Sequence, residues 1–317
     1  MVTGSNGQIG SELTTELRRR YGMKNVVATD IDTSQPANLS ESEIYHNVNV
    51  NDVTSLERIA ADYNIDTIFH MAAILSANGE KNPQHCWNVN MNGTLNILEL
   101  GVKFDMARII IPSSIAVWGN GVQLDHTPQE SILQPTSMYG VTKVCGELIG
   151  NYYVHRFGLD VRGLRYPGII SHQTLPGGGT TDYAVSIYYD AVDKGEYTCF
   201  VSEDTRLPMM YMPDTIEGTI KLAEAEFSNL IHHSNFNMNS MSFDVGELVE
   251  SIRKYIPDFK CNYNPDYRQA IAANWPNSID DSCAREEWDW EPKWNLDAMT
   301  KDMLEHLQQR KSMGNLY

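Results

Sequence analysis

A glycine-rich turn near the start of the chain constrains its fold more than any other sequence feature. Glycines stand at positions 4, 7 and 10 within Thr3–Gly10, and the helical pattern Ser11–Arg20 follows directly. Residues without side chains permit a tight turn and let a phosphate group approach the free N–H groups at a helix start. The spacing therefore predicts a strand, a turn and a helix that bind a dinucleotide. Only Met1–Thr3 precede the turn, so either the first strand is short or the sequence begins within it.

The order of apolar runs and amphipathic stretches predicts the rest of the fold. Short runs rich in β-branched residues alternate with helical patterns, which is typical of a parallel sheet covered on both faces. The runs lie at 25–29, 45–50, 67–70, 108–112 and 160–166. We therefore expect a doubly wound α/β (Rossmann) domain over residues 1–168. Residues 169–317 predict a second, smaller α/β lobe, with possible chain crossovers and helical patterns at 182–194, 213–227 and 244–256.

The charge and cysteine content exclude several classes of partner. The chain has 24 Lys and Arg residues against 41 Asp and Glu, and its net charge of −17 repels nucleic acid and anionic membranes. No apolar stretch approaches the roughly 20 residues of a membrane span. The five cysteines are widely spaced without a CxxC pair, which indicates neither a disulfide framework nor a zinc site. We expect a cytoplasmic protein without a metal, and His232 and His233, in a polar connection without a second ligand set, favour a solvated loop.

Asp30 supports the dinucleotide interpretation. It ends the predicted second strand and lies 20 residues after Gly10, where a carboxylate accepts hydrogen bonds from the adenosine ribose hydroxyls. A carboxylate at this position repels the 2′-phosphate of NADP. The sequence therefore predicts NAD as the cofactor.

A second motif supplies groups for proton transfer. Tyr139 and Lys143 are four residues apart at the start of a helical stretch, which places both side chains on one helix face. A nearby ammonium lowers the pKa of a phenol, and the positive charge of an oxidised nicotinamide adds to this effect. Tyr139 is then a candidate general base. Ser113 and Ser114 follow an apolar strand, at the sheet edge where a hydroxyl can hold a substrate.

These motifs resemble those of the extended short-chain dehydrogenases/reductases of the NAD-dependent epimerase/dehydratase superfamily. The matching patterns are TGxxGxxG at 3–10, SSxxxWG at 113–119 and YxxxK at 139–143. Longer stretches, which together span nearly the whole chain, are similar to the short-chain L-threonine 3-dehydrogenases. They are HMAAILSA at 70–77, NVNMNGT at 88–94, LRYPGII at 164–170, GGGTTDYA at 177–184, LPMMYM at 207–212 and WDW at 288–290.

The resemblance implies NAD-dependent oxidation of the 3-hydroxyl of L-threonine to 2-amino-3-oxobutanoate, with formation of NADH. That product breaks down to aminoacetone or is cleaved to glycine by a partner enzyme that uses coenzyme A. Ser114 matches the catalytic Ser/Thr of the family, 25 residues before the tyrosine, with Ser113 as the alternative. In this family pattern Tyr139 takes the hydroxyl proton, while Lys143 lowers its pKa and bonds the nicotinamide ribose.

The resemblance also implies which residues bind the two ligands. The cofactor set is Gly4, Asn6, Gly7, Gln8, Ile9, Gly10, Asp30, Asn49, Val50, Met71, Ala72, Ala73, Asn90, Tyr139, Lys143, Tyr166, Pro167 and Ile169. The substrate set is Ser76, Ser114, Tyr139, Gly179, Thr180, Thr181, Asp182 and Trp275. The loop 177–182 is expected to fold over the substrate, and helices at 86–103 and 140–157 imply a homodimer.

Three positions leave room for interpretation. Asn49 stands where relatives usually carry an aspartate for the adenine amino group, and Trp118 stands where Phe or Tyr is more common. Asn90 either holds a water that relays protons or is a helix-packing amide.

Two other functions stay open at this point. Nucleotide-sugar epimerases and dehydratases share this fold and triad, and Arg206 sits where they often hold a diphosphate. An NAD-sensing protein without turnover is the third hypothesis, against which the intact triad argues. The aromatic group Trp288, Trp290 and Trp294 indicates packing rather than a ligand cage.

Overall fold

The computed structural model describes residues 1–33, 43–175 and 177–316. The strands are β1 (Val2–Thr3), β2 (Val27–Asp30), β3 (Ile44–Asn47), β4 (Thr67–His70), β5 (Arg108–Ile110), β6 (Ser113–Ser114), β7 (Val161–Arg162), β8 (Leu164–Tyr166), β9 (Gly168–Ile170), β10 (Glu196–Cys199), β11 (Arg206–Tyr211), β12 (Phe236–Asn237), β13 (Met241–Asp244) and β14 (Lys260–Tyr263). The α-helices are α1 (Gln8–Tyr21), α2 (Val53–Asp62), α3 (Ser76–Lys81), α4 (Pro83–Trp87), α5 (Gly93–Lys103), α6 (Met138–Phe157), α7 (Tyr183–Asp193), α8 (Met212–Glu224), α9 (Val245–Arg253), α10 (Tyr267–Ala272), α11 (Ser282–Trp288) and α12 (Leu296–Ser312). A π-helical turn, Asn88–Asn92, joins α4 to α5.

The main sheet is parallel and has the strand order β3-β2-β1-β4-β5-β7. The chain order reverses at β1, because Val2 pairs with Ala28 of β2 on one side and with Phe69 of β4 on the other. Ligands of open α/β sheets bind outside the carboxyl ends of the strands at such a reversal. The predicted fold class is confirmed, and the glycine turn after β1 lies at this point.

Two predicted strands are divided in the structure, each for a local reason. The run 108–112 forms β5 only to Ile110, since Pro112 has no N–H to donate to a neighbouring strand. The run 160–166 is interrupted at Gly163, where an added Cβ would lie 2.4 Å from the carbonyl oxygen of Ser234. As a result β6 and β8 leave the main sheet and form a smaller one with β12.

Helices cover both faces of the main sheet. On one face α2, α5 and α6 bury a cluster that includes Leu56, Ile97 and Val154. On the other face α1 packs with α8, and Leu13 and Ile216 belong to one buried cluster. The chain therefore returns to the first sheet after residue 168.

The remaining strands form two small sheets, in the orders β13-β11-β9 and β10-β14. Helices α7, α9 and α12 bury a large cluster with them, and the same cluster contains Trp118 and Tyr139. Trp288 and Trp290 are buried in a further cluster, and Trp294 packs against the edge of the large one, as the packing interpretation predicts. No helix in the described ranges has both the length and the apolar character that a membrane span requires.

Candidate active site

The glycine turn brings backbone close to backbone. Gly4 has a φ of +66°, and an added Cβ would lie 2.6 Å from the backbone nitrogen of Ala72. A Cβ on Gly10 would lie 2.0 Å from the carbonyl oxygen of Gly4. Helix α1 follows with Gly7 as its N-cap residue and no side-chain cap on its first N–H groups. These N–H groups favour an anion at the helix start.

Asp30 is tied directly to this turn. Its Oδ2 accepts a hydrogen bond of 2.8 Å from the backbone N–H of Asn6, and its Oδ1 accepts one of 3.1 Å from the N–H of Asp32. The carboxylate keeps further lone pairs on both oxygens. It therefore braces the turn and still has acceptor capacity for a ribose.

Ser114, Tyr139 and Lys143 meet at the carboxyl end of the sheet. Ser137 starts helix α6 by accepting a hydrogen bond from the N–H of Gly140, which fixes the turn that carries Tyr139. The hydroxyl of Ser114 lies close enough to the phenol of Tyr139 to favour its charged form. The ammonium of Lys143 donates a bond of 2.7 Å to the carbonyl oxygen of Pro112 and lies 5.5 Å from the centre of the Tyr139 ring.

Burial dominates the acid–base properties of this group. Burial raises the pKa of Tyr139 to about 12, and the hydrogen bond from Ser114 opposes this only in part. Burial also lowers the pKa of Lys143 to about 8, since a buried ammonium loses solvation. The chain's own groups thus leave the pKa of the phenol above its ordinary value, and the lowering that the sequence predicts also includes the positive charge of the nicotinamide.

A buried network that the sequence did not reveal lies behind the triad. Glu147, one turn after Lys143, accepts a hydrogen bond of 2.5 Å from Ser113. Both its oxygens accept bonds of 2.8 Å from Arg165, and both charged side chains are buried. Arg165 lies over the ring of Trp118. In this network the hydroxyl of Ser113 is bonded to Glu147, whereas the hydroxyl of Ser114 acts on the phenol of Tyr139.

A cleft of about 460 Å³ contains most of the sequence-predicted site. Its lining includes these predicted residues: Gly4, Asn6, Gly7, Gln8, Ile9, Gly10, Met71, Ala73, Ser76, Ser114, Tyr139, Lys143, Tyr166, Pro167, Ile169, Gly179, Thr180, Thr181, Asp182 and Trp275. Ser113, the alternative to Ser114, and Gly177 of the predicted loop also line it. Seven further lining residues were not predicted, namely Ile74, Leu75, Asn78, Pro112, Ile115, Thr174 and Leu175. Ile74, Leu75, Pro112 and Ile115 directly adjoin predicted residues in the chain, and that adjacency is the signal that would have found these four.

Five predicted cofactor residues do not line the cleft: Asp30, Asn49, Val50, Ala72 and Asn90. Asn49 is exposed, and its side chain accepts a hydrogen bond from the N–H of Asn51. Ala72 backs the glycine turn at Gly4, and Val50 is buried against Gly93.

The amide of Asn90 binds neighbouring protein groups. Its Oδ1 accepts a bond of 2.8 Å from the N–H of Ile74, and its Nδ2 donates to the carbonyl oxygen of Ile74 and to Thr142. Asn90 also shares a cavity of about 10 Å³ with Lys143, so both the packing and the water-relay interpretations of this residue stay open.

The loop that bears the substrate-binding candidates is braced from within. Asp182 accepts hydrogen bonds of 2.8 and 2.7 Å from the N–H groups of Gly178 and Gly179. The hydroxyls of Ser76 and Thr180 are 3.2 Å apart and buried. Burial raises the pKa of Asp182, and the two backbone bonds oppose this. The loop is thus held over the cleft in a defined shape.

Two residues outside the cleft have partners that the sequence did not indicate. Arg206 forms ion pairs of 2.8 Å with Asp244 and with Glu247. His232 lies close to Cys283 and Glu287, so the expectation that it lacks neighbours of the ligand type was wrong. Its Nδ1 is hydrogen-bonded to Glu287, which accounts for its position.

The fold and the cleft define a Rossmann protein of the extended short-chain dehydrogenase/reductase class, with the triad at the strand ends and the glycine turn beside it. The family described as NAD dependent epimerase/dehydratase matches residues 1–237. The chain belongs to this family.

Individual relatives extend over nearly the whole chain. An uncharacterized epimerase/dehydratase of Staphylococcus aureus is 46% identical over 316 residues, 99% of this chain and 98% of the relative. The structure of L-threonine dehydrogenase from Clostridium difficile is 47% identical with a TM-score of 0.94, and the match covers 98% of this chain and 97% of that one. A monomeric L-threonine 3-dehydrogenase from a metagenome is 46% identical with a TM-score of 0.93, over 97% of this chain and 98% of that one.

Proposed function

We propose that this protein is an NAD-dependent L-threonine 3-dehydrogenase, which oxidises the 3-hydroxyl to give 2-amino-3-oxobutanoate, NADH and a proton. The observation that carries the proposal is one cleft that joins the glycine turn, the triad Ser114, Tyr139 and Lys143, and a hydroxyl-rich loop. Similar solved structures named L-threonine dehydrogenases support the choice of substrate. The product then breaks down to aminoacetone or is cleaved to glycine by a second enzyme.

The residues at the turn fit a dinucleotide. Side chains at Gly4 and Gly10 would occupy space next to the helix start, and backbone N–H groups there can bind a pyrophosphate. Asp30 would hold the adenosine ribose, and Lys143 the nicotinamide ribose. Bound NAD supplies the acceptor for the hydrogen and electron pair that leave C3 of threonine.

The triad handles the proton of the substrate hydroxyl. Ser114 orients the hydroxyl toward the phenol of Tyr139, which takes its proton as a general base. The positive charges of Lys143 and of the oxidised nicotinamide favour the phenolate and oppose the effect of burial on its pKa. Lys143 donates a hydrogen bond to the carbonyl oxygen of Pro112, and nearby Cys86 and Glu147 favour its charged form against the effect of burial.

The loop supplies the amino-acid end of the site. Ser76 and Thr180 present paired hydroxyls, and Thr181, Asp182 and Trp275 line the same cleft. Hydroxyls and a carboxylate are suited to the carboxylate and ammonium groups of an amino acid. Closing this loop would exclude water from the reacting atoms.

The nucleotide-sugar hypothesis is less well supported. Arg206, the candidate ligand of a diphosphate, is paired with Asp244 and Glu247 and does not line the cleft. Initial rates of NADH formation with L-threonine, L-serine, L-allo-threonine and several nucleotide sugars test the proposal. We expect turnover with L-threonine and none with the sugars. Turnover of a sugar alone would reverse the assignment, and binding of NAD without any turnover would indicate a sensor.

We also propose a cytoplasmic homodimer and two lobes. Helices α5 and α6 expose Leu95, Val102, Leu148 and Tyr152, and the last two are 63% and 55% exposed. Such an apolar face supports a two-fold interface, although one similar structure is described as monomeric. The lobes are 1–168 and 169–317, with α8 crossing back to the first. All five cysteines are free, which is consistent with the reducing cytoplasm.

A further inference from the structure

A cluster of metal-ligating side chains lies outside the cleft, where helix α12 meets the segment that follows β9. His172 comes from the start of the segment that leads into the substrate loop, and Asp302 and His306 come from consecutive turns of α12. One ligand atom of each lies within 4.8 Å of the other two. None of the three lines the cleft.

The carboxylate of this cluster is oriented by a neighbour. Tyr211 donates a hydrogen bond of 2.6 Å to Oδ2 of Asp302, while Oδ1 lies 3.7 Å from Nε2 of His306. A hydrogen bond on one oxygen fixes the direction of the other, as is common for carboxylates that bind metals. One oxygen is thus directed toward the imidazole.

The two imidazoles are stacked. Their ring centres are 4.0 Å apart and their planes differ by 3°. A neutral imidazole carries a lone pair on one ring nitrogen, and this lone pair can bind a cation. The lone pair of a ring nitrogen lies in the plane of its ring, so the lone pairs of two parallel rings do not meet at one point. The partly exposed ring of His306 must therefore tilt before both nitrogens can bind the same ion.

We propose that His172, Asp302 and His306 bind a divalent transition metal ion such as Zn²⁺. Two imidazole nitrogens and one carboxylate oxygen are a ligand set that this ion prefers, with water as the fourth ligand. The site is not catalytic, because it lies outside the cleft and none of the proton chemistry passes through it.

The position of the site gives the ion a mechanical effect. Arg310 of α12 already donates hydrogen bonds of 2.6 and 3.3 Å to the carbonyl oxygens of His172 and Gln173, and Tyr189 donates one to His172. An ion shared by His172 and α12 adds a stronger link at the same place. Thr174 and Leu175, which line the cleft, follow directly. Occupation of the site therefore restrains the base of the substrate loop.

A second cluster of similar composition supplies the control. In it His232 is hydrogen-bonded to Glu287, and that carboxylate also accepts bonds from the N–H groups of Ile231 and His232. A hydrogen bond between His232 and Glu287 thus competes with an ion there, whereas in the first cluster Oδ1 of Asp302 and Nε2 of His306 are 3.7 Å apart. Zn²⁺ is therefore expected at the first cluster.

Calorimetric titration of untagged, chelator-treated protein with ZnCl₂ tests the site. We expect about one ion per chain, and binding weakened ~10-fold or more in His306→Gln and in Asp302→Asn, with His232→Gln like the wild type. Absence of binding, or binding lost in His232→Gln but kept in His306→Gln, would overturn the proposal.

Hydrogen exchange provides a readout that needs neither substrate nor turnover. Zn²⁺ should slow the exchange of backbone amides at 172–182 in the wild-type protein and leave it unchanged in His306→Gln. Equal exchange with and without Zn²⁺ in the wild type would contradict the restraint on the loop. Both experiments are independent of the proposed dehydrogenase activity, which is measured separately with L-threonine.

Discussion

Ser113 donates a hydrogen bond of 2.5 Å to Glu147, while the hydroxyl of its neighbour Ser114 lies near the phenol of Tyr139 and favours its charged form. Successive residues of a strand point to opposite sides, and β6 consists of these two serines. The sequence alone left both as candidates for holding the substrate. The buried carboxylate of Glu147 engages Ser113, and this supports Ser114 as the residue that faces the reacting hydroxyl.

Alanine variants of the two serines should therefore fail in different ways. Ser114→Ala should lower kcat/KM for L-threonine by ~100-fold, because the substrate hydroxyl loses its orienting partner. Ser113→Ala should keep kcat/KM within a few-fold and lower the free energy of unfolding by about 1–3 kcal/mol, since Glu147 loses a buried donor. Steady-state kinetics and urea unfolding measure both effects. The reverse pattern would exchange the two roles.

The pH dependence of turnover should follow the deprotonation of the Tyr139 phenol. A general base acts only when deprotonated, so log kcat/KM for L-threonine at saturating NAD should rise with pH with a slope of about 1 and then level off. Lys143→Met should move this limb to higher pH, because loss of the positive charge raises the pKa of Tyr139 further. Tyr139→Phe should lower activity by ~100-fold or more and abolish the limb. A limb that persists unchanged in Tyr139→Phe would assign the base elsewhere.

Asp30 should set the preference between the two dinucleotides. Asp30→Ser removes the carboxylate that repels a 2′-phosphate, and we expect KM for NAD to rise by ~10-fold or more while the NADP/NAD ratio of kcat/KM increases. Asp62→Ser, which makes the same charge change at an exposed position of α2, serves as the control. An unchanged ratio in Asp30→Ser would remove Asp30 from the cofactor site.

Two glycines of the same domain should respond oppositely to alanine. In Gly10→Ala the new Cβ would meet the carbonyl oxygen of Gly4, so NAD affinity should fall and stability decrease by ~1–3 kcal/mol. In Gly146→Ala the Cβ meets nothing within 4 Å, and the helix α6 should gain up to ~1 kcal/mol. NAD binding and thermal unfolding of both variants check this. Tight NAD binding in Gly10→Ala would contradict the role of the turn.

The sequence predicted those parts of the site that lie close together in the chain. The glycine turn and the pair Tyr139 and Lys143 depend on local spacing, and the carboxyl-end position of Ser114 follows from the strand before it. Asp30 was found because a motif with a known distance links it to Gly10. What the sequence could not show is the hydrogen bond by which Asp30 braces Asn6.

Contacts between distant segments were beyond the sequence. Glu147 lies in α6 and Arg165 in β8, and neither segment has a motif that links the two residues. They meet because the predicted strand 160–166 is divided at Gly163, so that β8 pairs with β6, which contains Ser113. Helix α8 belongs in sequence to the second half but packs on α1. His172 and His306 are 134 residues apart, and no spacing rule connects them. Two strands also end earlier than the sequence predicts. One ends before Pro112, which has no N–H to donate, and the other ends at Gly163, where the backbone of Ser234 packs closely.

The most direct test of the account uses L-threonine carrying deuterium at C3. With NAD and the wild-type protein, mass spectrometry should find one deuterium in the reduced cofactor and 2-amino-3-oxobutanoate or aminoacetone as product, and Tyr139→Phe should form ~100-fold less of both. Reduced cofactor without deuterium, or no reduction of NAD by threonine at any pH, would contradict the assignment of this protein as a threonine 3-dehydrogenase.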